Sequence, residues 1–96
     1  MKGRHTVVDN HIEERYEMEV GGDKVYIDYI KEPRRIRLTH TCVPAHLAGR
    51  GVGSELVAGA LEDAREKGLQ VVPECSFVAH YIARHPEWAQ IVCREA

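Results

Sequence analysis

Hydrophobic and polar residues alternate along two neighbouring segments near the start of the chain, residues 16–20 and 24–30. This period of two is typical of half-buried β-strands. In the first segment Tyr16, Met18 and Val20 share one face, opposite Glu17 and Glu19. In the second segment one side carries Val25, Ile27 and Tyr29, and the other carries Tyr26, Asp28 and Ile30. Gly21-Gly22-Asp23 lies between the segments and predicts a tight turn, hence an antiparallel hairpin. Residues 1–10 show little pattern and are expected to be irregular.

A third strand is predicted over residues 35–43, RIRLTHTCV, and Pro44 ends it. On a regular strand, one face carries Ile36, Leu38, His40 and Cys42. The opposite face carries Arg37, Thr39, Thr41 and Val43. A β-bulge near the end of the strand would change this parity, and the face of His40 with it.

Apolar residues at helical spacing follow a glycine-rich segment and predict one long amphipathic helix, which Gly68 terminates. Its buried stripe consists of Val52, Leu56, Val57, Ala60, Leu61 and Ala64. Residues 69–72, LQVV, predict a buried strand, and a strand–helix–strand crossover makes this strand parallel to the third one. A last helix is expected to have Ser76 as its N-cap and to stop at Pro86.

The glycine-rich segment, HLAGRGVGSEL, places Gly49, Gly51 and Gly53 directly before the long helix. Glycines let backbone N–H groups approach a ligand, and a helix N-terminus adds unpaired donors and a partial positive charge. The segment therefore predicts an anion site, usually a phosphate site. It lacks the Gly-Lys-Ser/Thr of a nucleoside-triphosphate loop and the Gly-x-Gly-x-x-Gly of a dinucleotide loop.

Composition narrows the class of protein. Residues 1–96, with 44% hydrophobic and 29% charged residues, suffice for one soluble domain with a single core. The formal net charge of -2 argues against nucleic-acid binding, and no apolar run reaches the about 18 residues of a membrane helix. Cys42, Cys75 and Cys93 form no closely spaced pair; with no signal-peptide pattern, this predicts reduced thiols in a cytoplasmic protein. The histidines lack metal-ligand spacing, so no metal is predicted.

Residues 43–68, VPAHLAGRGVGSELVAGALEDAREKG, resemble the acetyl-CoA loop and helix of the GNAT superfamily of N-acetyltransferases. The family's Gln/Arg-x-x-Gly-x-Gly/Ala pattern maps its glycines onto Gly51 and Gly53. Ala48 stands where the pattern has Gln or Arg, and Arg50 supplies charge nearby. Two further segments, LTHTCVP and VVPECSFVAHYIARHPEW, extend the resemblance to residues 10–93. Together with the short length of the chain, they resemble the small single-domain members of the family in particular.

That resemblance implies an α+β fold with an α/β/α-like core in a single minimal domain, residues 1–96. Three antiparallel strands are followed by the glycine loop and long helix, one parallel strand and a C-terminal helix. The implied cofactor is acetyl-coenzyme A. Its pyrophosphate is expected on the N–H groups of Gly49, Arg50, Gly51, Val52, Gly53 and Ser54. Its pantetheine arm is expected to hydrogen-bond near Cys42 and Val43, which brings the thioester close to His40 and Cys75.

Three side chains are candidates for catalysis. His40 is a candidate base, and Cys75, just before a helix N-terminus, is a candidate nucleophile that forms acetyl-cysteine with His40 or Glu74 moving protons. Tyr81 stands where GNAT relatives often carry a tyrosine that protonates the departing thiolate. Each also has a structural interpretation: a histidine satisfied within the sheet, a small buried cysteine, or a tyrosine packed in the core.

Two functions follow as hypotheses. The first is an acetyl-CoA-dependent N-acetyltransferase that acts on an amine such as a protein lysine or N-terminus, without nucleic-acid or membrane partners. The alternative is a non-catalytic acyl-CoA-binding or interaction module. Larger relatives cover the acceptor with additional N-terminal helices, so a chain of 96 residues is expected to have an open groove.

Overall fold

The computed structural model describes residues 5–93, which form a five-stranded mixed sheet with two α-helices on one face. The strands are β1 (Val8–Asn10), β2 (Arg15–Val20), β3 (Asp23–Lys31), β4 (Arg35–Cys42) and β5 (Gln70–Pro73). The helices are α1 (Val52–Glu66) and α2 (Ser76–Arg84), with short 3-10 segments at Ala45–Leu47 and Pro86–Ile91. Neighbours in space are neighbours in sequence: β1 to β4 are antiparallel, and β5 pairs with β4 in parallel.

The inward-facing side of the sheet matches the alternation in the sequence over β2 and β3. Tyr16, Met18, Val25, Ile27 and Tyr29 are all buried. The predicted stripe of α1 packs onto them, and all six of its residues are buried. Gly68 follows α1 in the left-handed conformation, as the prediction of a helix stop requires. The α+β class, the hairpin, the long helix and the parallel strand are therefore confirmed.

Both helices lie on the same face of the sheet, which we call the helix face. Helix α1 contacts β2, β3 and β5, while α2 contacts β4, β5 and α1. At their N-terminal ends the helices approach closely, because a Cβ at Gly53 would lie 2.5 Å from the Phe77 ring. The expected α/β/α-like arrangement is wrong for residues 5–93, which form two layers and leave the other face of the sheet, the open face, without a helix.

Strand β1 was not expected, because residues 1–10 carry no strand pattern. Its last two residues, Asp9 and Asn10, have low β-propensity, so long-range contacts must hold it in place. The Tyr29 hydroxyl donates to Asp9 Oδ1 at 2.5 Å, and Lys67 Nζ donates to Asp9 Oδ2 at 2.7 Å. These two bonds attach the edge strand to β3 and to the residue after α1.

A register shift in β4 changes the face of its last residues. Tyr29 pairs with Leu38 but Asp28 pairs with His40, so Thr39 has no partner on β3. This β-bulge turns His40 and Cys42 to the open face and Thr41 to the helix face. The predicted face for His40 and Cys42, shared with Leu38, is wrong for this reason.

Candidate functional site

The loop before α1 presents a row of free backbone donors. Gly49 and Gly51 have φ of 81° and 78°, conformations that an L side chain rarely adopts. The first helical hydrogen bond runs from Glu55 N–H to Gly51 C=O at 3.0 Å. Within the part of the chain that the structure describes, no N–H group of residues 49–54 donates to a protein acceptor. Six donors therefore remain at the positive end of a 15-residue helix.

The space around this loop is open. A Cβ built on Gly49 or Gly51 meets no atom within 4 Å. Glu55 is the only acidic residue in the first turn of α1, and its carboxylate is held by His5, whose Nδ1 lies 3.0 Å from Oε1. An anion with several oxygens can approach the loop without meeting an unpaired carboxylate there.

The edge of β4 is free next to the same loop. Parallel pairing with β5 ends at Leu38 and Pro73, although β4 continues to Cys42. The chain turns away at that point, and Cys75 N–H donates to Leu38 C=O at 2.9 Å. Residues 39–42 of β4 therefore have a strand neighbour on the β3 side only. An extended ligand can add to such an edge.

Cys75 lies where this open edge meets the N-terminus of α2. It is the N-cap residue, whereas Ser76, the predicted N-cap, is the first residue of the helix. The Cys75 Sγ lies 3.2 Å from Thr41 Oγ1. Burial raises the pKa of the Cys75 thiol, but hydrogen bonding from Thr41 and the backbone N–H groups of Val78 and Phe77 outweighs burial and lowers it. The result is a half-buried sulfur with increased thiolate character.

Thr41 is a member of the site that sequence reasoning missed. It belongs to the site because the bulge turns it toward Cys75, 34 residues away in the chain. The alternation of β4 placed it on the face opposite Leu38. Only the pairing of β4 with β3 reveals the change of face.

The structure does not bring all predicted catalytic residues together. His40 is exposed on the open face, on the opposite side of β4 from Cys75 and Thr41. Cys42 is also on the open face, where its hydrogen bond raises the pKa of Tyr26. An extended ligand along the free edge of β4 would therefore have Cys75 on one side and His40 on the other.

Two further candidates have other partners. Glu74 binds Arg37, with 2.7 Å between Oε2 and Nε, so its carboxylate is engaged in an ion pair. Burial raises the pKa of Tyr81, as does the nearby Glu87, and a hydrogen bond from Trp88 opposes the shift. The Tyr81 ring also lies 4.2 Å from the His85 ring, centroid to centroid, and His85 caps the end of α2 opposite Cys75.

Metal-binding clusters and membrane-spanning helices are both absent from residues 5–93. No group of three or more His, Cys, Asp or Glu side chains in this range is arranged to hold a metal ion. Neither helix in this range has the length and apolarity needed to cross a bilayer.

An amide-rich loop at a helix N-terminus lies beside a free strand edge that ends at a thiol, an arrangement with the shape and donors that suit a phosphorylated, extended ligand. Comparison with known families identifies the class of protein. A family model described as GCN5-related N-acetyl-transferase matches residues 15–91. The chain belongs to this family, and acetyltransferase chemistry is the general function that membership supports.

Proposed function

We propose that the protein is an acetyl-CoA-dependent N-acetyltransferase that transfers the acetyl group to an amine. The observation that carries the proposal is the row of six unpaired N–H groups at residues 49–54, at the end of α1. Members of the matched family typically use acetyl-CoA, and the diphosphate of coenzyme A is an anion that such a row of donors binds.

The residues of the site fit coenzyme A along its length. The donors at residues 49–54 would hold the diphosphate, with Arg50 adding positive charge in place of the Gln or Arg that Ala48 replaces. The free edge of β4, with Cys42 at its end and Val43 after it, would hydrogen-bond the amides of the pantetheine arm. When bound, acetyl-CoA supplies an activated acyl group as a thioester.

Two routes of acetyl transfer are consistent with this arrangement. In the covalent route, the Cys75 thiolate would attack the acetyl carbonyl and coenzyme A would leave as a thiolate; the amine would then displace the Cys75 sulfur from acetyl-Cys75, and the proton that the amine loses would neutralise the coenzyme A thiolate. In the direct route, His40 accepts the proton of an amine that arrives from the open face. The two routes use opposite sides of β4, so variants of Cys75 and His40 separate them.

One observation favours a second function, a non-catalytic module that binds acyl-CoA. The ring of Tyr81, the predicted acid for the departing thiolate, packs against His85, the C-cap of α2, at the end of the helix opposite Cys75. A chain without that acid would bind the cofactor and turn over slowly. We also propose a cytosolic location, which the three unpaired cysteines support.

Mass spectrometry of the purified protein with acetyl-CoA and a capped lysine peptide tests the proposal. In the covalent route the wild type carries one acetyl group that Cys75→Ser lacks and that the matched control Cys93→Ser retains. In the direct route Cys75→Ser still acetylates the peptide, and His40→Ala does not. Cofactor binding without label or product would indicate the binding module. A protein that does not bind coenzyme A would refute both functions.

A further inference from the structure

Of the three glycines in the loop before α1, Gly53 is the one whose backbone conformation does not call for glycine. Gly49 and Gly51 have positive φ, whereas Gly53 is the second residue of α1, where alanine is more favourable than glycine. What Gly53 provides is space, because a Cβ there would lie 2.5 Å from Cζ, 2.9 Å from Cε2 and 3.3 Å from Cε1 of Phe77. The missing side chain lets the Phe77 ring rest on the backbone of α1.

Phe77 also contacts the thiol, through its main chain. It is the second residue of α2, and its backbone N–H donates to the Cys75 sulfur, as does that of Val78. Further hydrogen bonds to this sulfur come from Thr41 of β4. The donors that α2 contributes therefore stay directed at the sulfur only while the first turn of α2 keeps its place. One residue, Phe77, connects that turn to the loop.

Few contacts fix the first turn of α2. The buried residues of this helix are Val78 and Ile82, one turn apart on the side that faces the sheet. A backbone hydrogen bond from Cys75 ties the N-cap to β4. The ring of Phe77 is 41% exposed and reaches sideways to α1, where it lies against Gly53. Contacts with the sheet hold α2 from below, and this ring sets the distance of its first turn from α1.

We propose that Phe77 is a positioning residue for the Cys75 thiol. Its ring, resting on Gly53, holds the first turn of α2 against the loop, so that the sulfur keeps its main-chain donors and its distance from the loop. The inference rests on the covalent route of the proposed function and adds to it the residue that couples the cofactor loop to the nucleophile. Phe77 acts through the position of Cys75 and is not itself a reacting group.

The pH profile of Cys75 alkylation by iodoacetamide tests this role, with the modified peptide resolved by mass spectrometry. Gly53→Ala places a methyl group where the ring lies, so the ring or the helix has to move. Phe77→Leu removes the three ring atoms nearest Gly53 and leaves a gap. Each change should raise the pKa of the Cys75 thiol by about half to one unit, because hydrogen bonds to a charged sulfur weaken. Alkylation at neutral pH should slow about two- to threefold, since a thiolate of higher pKa is intrinsically more reactive.

The double variant Gly53→Ala/Phe77→Leu provides the sharpest result. It adds a methyl group where it removes ring atoms, so the volume between the two helices is nearly conserved. We expect its alkylation profile to return toward that of the wild type. Two changes that each loosened the protein independently would add instead, so an additive shift in the double variant would overturn the inference.

Gly59→Ala is the matched control on the same helix. A Cβ at Gly59 would meet the Val7 side chain even more closely than a Cβ at Gly53 meets Phe77. Val7 precedes β1, at the edge of the sheet opposite the strands that α2 covers. Gly59→Ala should leave the Cys75 profile unchanged, and a shift as large as that of Gly53→Ala would overturn the inference. If Gly53→Ala does not fold, Phe77→Leu decides, and an unmoved profile in that variant refutes the positioning role.

The alkylation assay uses no acetyl-CoA, which separates this inference from the proposed function. Formation of acetyl-Cys75 at saturating acetyl-CoA should slow in Phe77→Leu by a factor similar to that for alkylation. If the alkylation profiles shift as expected but the wild type forms no acetyl-Cys75, the covalent route fails and the positioning of the thiol stands. If the profiles of wild type, Gly53→Ala and Phe77→Leu coincide, the positioning role is refuted whatever the activity.

Discussion

Gly51 offers the sharpest test of the anion site, because it is the N-cap of α1 in the left-handed conformation. Three substitutions, Gly51→Gln, Gly51→Glu and Gly51→Lys, place side chains of similar length at the centre of the proposed diphosphate site. A Cβ at this position meets no atom within 4 Å, so none of the three has to displace a neighbour. Glu and Gln differ in charge at the same size, and Lys adds the opposite charge on a slightly longer side chain.

The backbone strain should be the same for all three variants, while the helix dipole should make Gly51→Glu more stable and Gly51→Lys less stable than Gly51→Gln by about 0.3–1 kcal/mol. An L residue at φ 78° is strained by about 1–2 kcal/mol. A loss of 1 kcal/mol lowers the Tm of a domain of this size by about 4–8 °C. Because the strain is common to the three variants, it cancels when their affinities for coenzyme A are compared.

The differences in affinity then report the charge of the ligand. Two unit charges about 6 Å apart interact by about 0.7 kcal/mol in bulk water and by about 3 kcal/mol at an effective dielectric constant of about 20. Gly51→Glu should therefore bind coenzyme A about 3- to 100-fold more weakly than Gly51→Gln. Gly51→Lys should bind it more tightly than Gly51→Gln by a factor in the same range.

Isothermal titration calorimetry at low and high salt provides the measurement. The gap between the Glu and Gln variants should narrow as salt screens the exposed charge. Dephospho-coenzyme A, which keeps the diphosphate, should give the same order of affinities. Equal binding by the Glu, Gln and Lys variants would refute the placement of the diphosphate on this loop.

Three further predictions follow from the hydrogen bonds of the site and of the core. Thr41→Val removes the hydroxyl that helps to lower the pKa of Cys75. Alkylation of Cys75 by iodoacetamide at neutral pH should therefore slow, and the pH profile of its rate should move to higher pH. An unchanged profile would contradict the assigned contact. Burial raises the pKa of the Asp9 carboxyl, but the hydrogen bonds from Lys67 and Tyr29 outweigh burial and lower this pKa below its ordinary value. The stability from this carboxylate is present above the ordinary pKa of about 3.9 and is lost as pH falls through the lower folded value, so Asp9→Asn should flatten the loss of unfolding free energy in acid, measured with urea. Tyr16→Phe deletes the 2.8 Å bond to Asp63 and should cost about 1–2 kcal/mol of unfolding free energy without changing the affinity for coenzyme A, which calorimetry measures.

The sequence by itself determined those strands and helices whose buried and exposed faces follow from the local spacing of hydrophobic residues. Alternation over β2 and β3 and the 3.6-residue spacing in α1 assign each side chain to a face, because backbone geometry alone sets those directions. The glycine loop was predictable for the same reason, since Gly49 and Gly51 adopt conformations that other residues rarely take.

The pairing of strands in the tertiary structure decided features that the local spacing of hydrophobic residues does not encode. The bulge at Thr39 depends on the register of β4 against β3, and it alone puts His40 beside Asp28 and Thr41 beside Cys75. Strand β1 pairs with β2 and is also held by bonds that Asp9 makes with residues 20 and 58 positions away. A single unpaired residue reverses the faces of all residues after it in a strand, so the pairing of strands distributed the candidate catalytic groups between the two sides of β4.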